Sequence, residues 1–221
     1  MFAEWRAKLR ARMVETLTQH RERHGIKLSM YIENAPLREA DLWPKLEAAL
    51  DLIATHRPVW LERMRRTQNS INIRRIPGLR AQLRPGSRTI LDPFLLANFE
   101  PAQIASSIVH EATHAMMQGR DLSSRMTRAR EERICRGSEL RLGRALAAAG
   151  IPGADNVVTR AAFSLAASDD DVAPRVDPEE LRILGVVTRI NDLPFPRWYK
   201  RFLARRQGVL DTPQGRSAFR R

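Results

Sequence analysis

Two histidines four residues apart, with a glutamate directly after the first, stand in the stretch "SSIVHEATHAMMQ" at residues 106–118: His110, Glu111 and His114. On a helix, positions 110 and 114 lie one turn apart on the same face, with about 6 Å between their Cβ atoms. Two imidazoles so placed can bind one Zn²⁺ from the same side. Glu111 is turned by about 100° from His110, so it can flank the ion without ligating it. There it can take a proton from zinc-bound water, whose pKa the metal lowers toward about 7, and pass it to a leaving amine. These three are the only ionisable residues between Ser106 and Gln118. Burying them without partners would cost several kcal/mol. With five histidines and 14 glutamates in the chain, the pattern is expected by chance in under about one such chain in a hundred. The competing reading is a core helix whose histidines are satisfied by hydrogen bonds while Glu111 reaches solvent.

The elements that must position these residues follow from periodicity. Residues 2–24 read as an amphipathic helix carrying Phe2, Trp5, Leu9, Met13 and Leu17, ended by Gly25. A second helical pattern from Leu37 carries Leu42, Leu46, Leu50 and Ile53, and Pro58 interrupts or kinks it. "SINIRRI", "LRAQL" and "RTILDPFLL" then read as three short strands of a small antiparallel sheet, with turns at residues 77–78 and 84–87. Pro93 would confine the third strand to an edge or a bulge. The motif helix starts at Pro101 and stops at Gly119, its apolar stripe formed by Ile104, Ile108, Ala112, Ala115 and Met116. A further helix is expected from about Ser123 to Ala149, closed by Gly150 and Pro152. Beyond it, "VVTRAAFSLAA" reads as a helix, "SDDDVAP" as a loop, "DPEELRILGVV" as a helix and "LPFPRWYKRFLARR" as a Pro-broken, aromatic and basic segment.

"HEATH" after a short sheet and before a second helix resembles the zincin metallopeptidases. The likeness covers roughly residues 70–150. It implies an α+β, zincin-like fold, mainly helical, with a small antiparallel sheet preceding the motif helix and a second metal-ligand helix after it. The chain is then one domain over residues 1–221: an N-terminal helical segment at 1–66, a metal-binding core at 70–150 and a C-terminal helical segment at 151–221. The implied activity is zinc-dependent hydrolysis of peptide bonds, with Glu111 as general base and His110 and His114 on the metal.

A catalytic zinc takes a third protein ligand. The metzincin pattern wants a third histidine soon after His114, and none follows, which excludes that branch. The gluzincin branch takes a glutamate from the next helix. Here "TRAREERICRGSELRLG" offers Glu131, Glu132 and Glu139. Positions 132, 135, 136 and 139 share one helical face, and zincin-like proteins with the same "HEATH" string carry a similar E-x-x-C segment. Glu132 is the first choice of ligand, Glu139 the second and Glu131 the third. Glu139 would otherwise accept the free N–H of a ligand histidine. Arg136 stands where the better-known gluzincin pattern has an aspartate. Cys135 reads as a small buried hydrophobe, or as a soft ligand that would close the site. His20, His24, His56, Tyr31 and Tyr199 read as surface or packing residues.

Composition bounds the alternatives. A single cysteine forbids an intramolecular disulfide, and no apolar run approaches the roughly 18 residues of a membrane span. Without a signal-like N-terminus, a cytoplasmic location is expected. The net charge of +13 is almost all arginine, 34 of the 38 basic residues, and is spread along the chain rather than gathered in one tail. The expected partner is a peptide or protein substrate. The alternatives are a zinc-binding, non-catalytic interaction module, or a basic protein associated with nucleic acid or an anionic membrane surface. Clustering of Arg74, Arg75, Arg80, Arg84 and Arg88 beside the cleft would support the last.

Overall fold

The computed structural model describes residues 18–32, 37–68, 70–76, 81–84, 88–172, 183, 186–187, 190 and 196–212. The expected helix over residues 2–17 and most of the one over 177–187 lie outside these residues.

The described chain is α+β, with a five-stranded sheet packed under helices. It begins with a hairpin of β1 (Gln19–Arg23) and β2 (Ile26–Met30). This corrects the helical reading of residues 18–24 and of the 1–66 segment as wholly helical. Residues 18–23 hold no apolar side chain that a helix could bury, and β1 is exposed throughout. The turn is two residues, His24 at φ 52° and Gly25 at φ 74°. Positive φ at both central positions matches the right-handed twist of the flanking strands and suits glycine. β2 alternates strictly, burying Ile26, Leu28 and Met30.

α1 (Glu39–His56) and α2 (Pro58–Thr67) follow. Pro58 opens α2 at a position where its missing N–H costs nothing. These helices carry the chain across so that β3 (Ser70–Ile73) lies parallel to β2. β4 (Ala81–Arg84) and β5 (Arg88–Leu91) pair antiparallel, and β5 runs parallel to β3. The order is β1-β2-β3-β5-β4. The sheet is therefore mixed rather than antiparallel, and β5 is interior while β4 forms the edge. The strand expected over "RTILDPFLL" ends at Leu91. Asp92 caps a short α3 (Pro93–Asn98) by accepting from the Phe94 N–H, so Pro93 starts a helix instead of sitting in a strand.

α4 (Pro101–Gly119) carries the motif, and α5 (Arg128–Ala148) follows a 3₁₀ turn at Ser123–Arg125. α6 (Ala154–Ala166) packs along α5 and is followed by a short α7 (Asp169–Val172), where a loop was expected. α8 (Arg197–Arg206) follows Pro196. The main core joins β2, β3, α1, α2 and α4 to Leu142, Leu146, Ala154 and Val157, so core packing continues past residue 150. A second, smaller cluster gathers Ile183, Val187, Ile190, Ala204 and Val209. No helix among the described residues is long and apolar enough to cross a membrane.

Candidate metal centre

α4 begins with a reciprocal cap: the Glu100 side chain accepts from the N3 backbone, and Gln103 accepts from the Glu100 N–H. The helix is buried on nearly every side, between α1 and α2 on one flank and α5 and α6 on the other. A polar side chain on it must therefore find a partner. α5 is capped by Thr127, which accepts from the Arg130 N–H. Its inner face brings Glu131, Glu132, Cys135 and Glu139 toward α4.

The two imidazoles and one carboxylate converge. His110 Nε2 lies 3.2 Å from His114 Nε2, and Glu132 Oε2 and Oε1 lie 3.3 Å and 3.4 Å from those two nitrogens. Tetrahedral zinc with ligands at about 2.0–2.1 Å separates them by about 3.3–3.4 Å. The two nitrogens and the carboxylate thus stand at about the spacing such an ion needs, each nitrogen facing a different oxygen of Glu132.

The other imidazole nitrogens are spoken for. His110 Nδ1 lies 2.6 Å from Glu139 Oε1, and His114 Nδ1 lies 2.9 Å from Glu131 Oε1. An ionised carboxylate only accepts, so each Nδ1 carries a proton, and a neutral ring would keep its lone pair on Nε2, facing the centre. Glu131 also accepts from Ser123 Oγ at 2.9 Å. Glu139, 1% exposed, takes bonds from Ser106 Oγ, Arg136 Nη1 and Arg160 Nη2 at 2.8, 2.6 and 2.9 Å. Of the three candidate glutamates, Glu132 faces both Nε2 atoms, while Glu131 and Glu139 orient the rings from behind.

Charge follows this geometry. Burial pushes the Glu139 carboxyl up, but the His110 bond and the charges of His110, Arg136 and Arg160 outweigh it and hold it down to about 2. Burial likewise opposes ionisation of Glu132, and bonds from both imidazoles hold it well below the usual carboxylate range. Burial would lower His110, yet Glu132 and Glu139 raise it to about 9. His114 is raised by Glu132 and Glu131 against burial and the charge of His110. The Nε2 pair thus favours a positive charge between its nitrogens.

Glu111 is buried, and burial raises its carboxyl. The charges of His110 and His114 and a hydrogen bond from the Leu83 backbone oppose the rise. Leu83 belongs to edge strand β4, which with Ala81 and Gln82 forms one wall of a cleft of about 910 Å³ over the centre. Arg128, Arg136 and Arg160 also line this cleft. Cys135 is fully buried, with its ligand atom and those of His110 and His114 all within 4.8 Å of one another. Burial and four surrounding glutamates raise its thiol far above the ordinary range.

His20, His24, His56, Tyr31 and Tyr199 are not among the residues lining the cleft; His24 Nε2 lies 2.6 Å from Asp51 instead. Of the five arginines considered for an anionic surface, Arg75 pairs with Asp92 at 3.1 Å and lies over the Phe94 ring. Arg80 lies outside the described residues. Sequence reasoning missed Ser106, Leu83 and Arg160. Arg160 sits 54 residues from Ser106 on a helix with no motif, so no local pattern could have shown it.

No family model matches the chain, and neither a curated protein nor a solved structure is significantly similar to it.

Proposed function

We propose that the chain is a zinc-dependent metallopeptidase of minimal gluzincin type, with His110, His114 and Glu132 holding the ion and Glu111 as general base. The convergence of two Nε2 atoms and one carboxylate at 3.2–3.4 Å, with both Nδ1 atoms engaged by Glu139 and Glu131, carries this reading. Bound there, zinc supplies Lewis acidity and a water acidic enough to ionise near neutral pH. Glu111 stands in the same cleft, where burial favours the protonated carboxyl and the charge of a bound zinc ion would favour the ionised one. A carboxyl balanced in this way can take a proton from the nucleophile and return it to the leaving amine. The edge of β4 offers backbone groups along the cleft that an extended peptide can pair with.

A second reading rests on Cys135, whose sulfur is within reach of both histidines. Coordinated as a thiolate, it would close the fourth position and make the centre structural, in a non-catalytic binding module. Glu132, facing both Nε2 atoms at 3.3 and 3.4 Å, is the ligand the first reading prefers.

The test is metal content of chelator-free protein by mass spectrometry, with His114→Ala, Glu132→Ala and Cys135→Ser variants. One zinc per chain, lost in the first two and kept in the third, is the expected result. Cleavage of generic peptides should then vanish in Glu111→Gln with zinc retained. Absence of zinc from the wild-type protein would overturn the reading, and loss of zinc in Cys135→Ser would favour the closed site.

A further inference from the structure

Two guanidiniums share one carboxylate beside the metal centre. Arg136 and Arg160 both bond Glu139, whose remaining partners are His110 and Ser106. Neither arginine has a second carboxylate among the described residues. Arg136 Nη2 and Arg160 Nη1 have no partner there, and both side chains reach the cleft, 27% and 30% exposed. The Nε atoms of both are buried and unpaired, so each guanidinium keeps N–H groups that Glu139 does not engage. Each guanidinium is two hydrogen bonds from the His110 ring, and Glu139 fixes its orientation.

The wider charge balance points the same way. Four glutamates line the centre, with Arg128, Arg136 and Arg160 opposite them. A divalent cation among these groups leaves the cleft positive by one charge. A planar guanidinium with free N–H groups is shaped for a carboxylate.

From this we infer that Arg136 and Arg160 form an anion-recognition subsite, and that the substrate is a peptide presenting a carboxylate next to the scissile bond. The carboxylate is either the chain's own C-terminus or an aspartate or glutamate side chain. The inference rests on the ion site of the proposed function but not on turnover. Arg136 and Arg160 are substrate-positioning residues that act through binding.

The test uses full-length Glu111→Gln protein loaded with zinc, so that no probe is consumed. Four probes are titrated by calorimetry: acetylated trialanine with a free C-terminus, its amide, and the amides ending in aspartate or asparagine. The expected result is at least about tenfold tighter binding of one carboxylate probe than of its neutral partner. Preference for the free C-terminus identifies that source, and preference for aspartate identifies the side chain. Arg136→Gln and Arg160→Gln, each with zinc content verified, should reduce the preference to under about threefold. Arg160→Lys should restore part of it. Equal binding of charged and neutral probes would overturn the inference. So would a preference that survives in both arginine variants, since the carboxylate would then sit on the ion. Failure of the wild-type protein to cleave any peptide would remove the peptidase reading and leave the binding preference standing.

Discussion

His110 Nδ1 lies 2.6 Å from Oε1 of Glu139, a carboxylate from the next helix that is itself held by Ser106, Arg136 and Arg160. The ring's tautomer and tilt are therefore fixed through Nδ1, while Nε2 faces Glu132. Glu139→Gln keeps the side-chain shape but removes the charge that makes the bond strong. Zinc affinity is expected to fall by about 10- to 100-fold, read by competition with a chromogenic chelator. Unchanged affinity would show that the rings orient themselves without it.

Glu131 and Glu132 are chain neighbours with different expected outcomes. Glu131 reaches only His114 Nδ1 and Ser123, while Glu132 faces both Nε2 atoms. Glu131→Gln should retain one zinc per chain with affinity lower by about tenfold. If that variant lost its zinc while Glu132→Ala kept it, the two assignments would exchange.

Packing of α5 on α6 depends on Gly143. A Cβ there would meet Val157 Cγ1 at 2.9 Å and Val158 Cγ2 at 3.2 Å. Val157 is fully buried, so it has little room to yield. Gly143→Ala is expected to destabilise by about 1–2 kcal/mol, overpacking outweighing the gain of up to about 1 kcal/mol in helix propensity. Urea denaturation checks the sign, and a more stable variant would show that the helices part easily.

Arg23 and His24 both bond Asp51 on α1, at 2.6–2.8 Å. The Arg23 bond, against some burial, holds the Asp51 carboxyl below its ordinary value. A carboxyl depressed in the folded state contributes stability above its unfolded pKa of about 3.9, and this is lost as pH falls through the folded value. The group is 39% exposed, so its contribution is under about 1 kcal/mol. Asp51→Asn should be less stable than wild type at pH 7, and the difference should shrink as pH falls below about 4. A difference that persisted in acid would place the effect elsewhere than in charge.

Much of the centre could be read from the chain because a helix converts spacing into direction. His110 and His114 share a face by periodicity, and so do Glu132 and Glu139 one helix later. The division of labour among Glu131, Glu132 and Glu139 could not be read, since it depends on the crossing of α4 and α5. Arg160 was hidden for the same reason: an arginine on an exposed-looking helix resembles any solvated cation until α6 is laid against α5.

The sheet was less legible than the helices. Gln19–Arg23 forms a strand with no buried residue, held by its hairpin partner and by Arg21 and Arg23 reaching Glu47 and Asp51. Period-two patterning has nothing to act on there. The parallel pairing of β3 with β2 and β5 is set by crossovers rather than by the strands' own sequences, so three short strands in a row suggested a simple antiparallel run.

Ser106, Glu139 and Arg160 meet in one hydrogen-bonded group although the chain between the outer two is 54 residues long. Such a group exists only when three helices are already in place. An ion that binds there and not to the open chain shifts the whole unfolding equilibrium by RT ln(1 + [L]/Kd). On the proposed reading, occupancy of the centre would double as an intrinsic gauge of tertiary assembly: a metal chelator would act on this protein as a denaturant of limited strength, and a fragment stopping before α6 would have the motif but could not finish the socket around it.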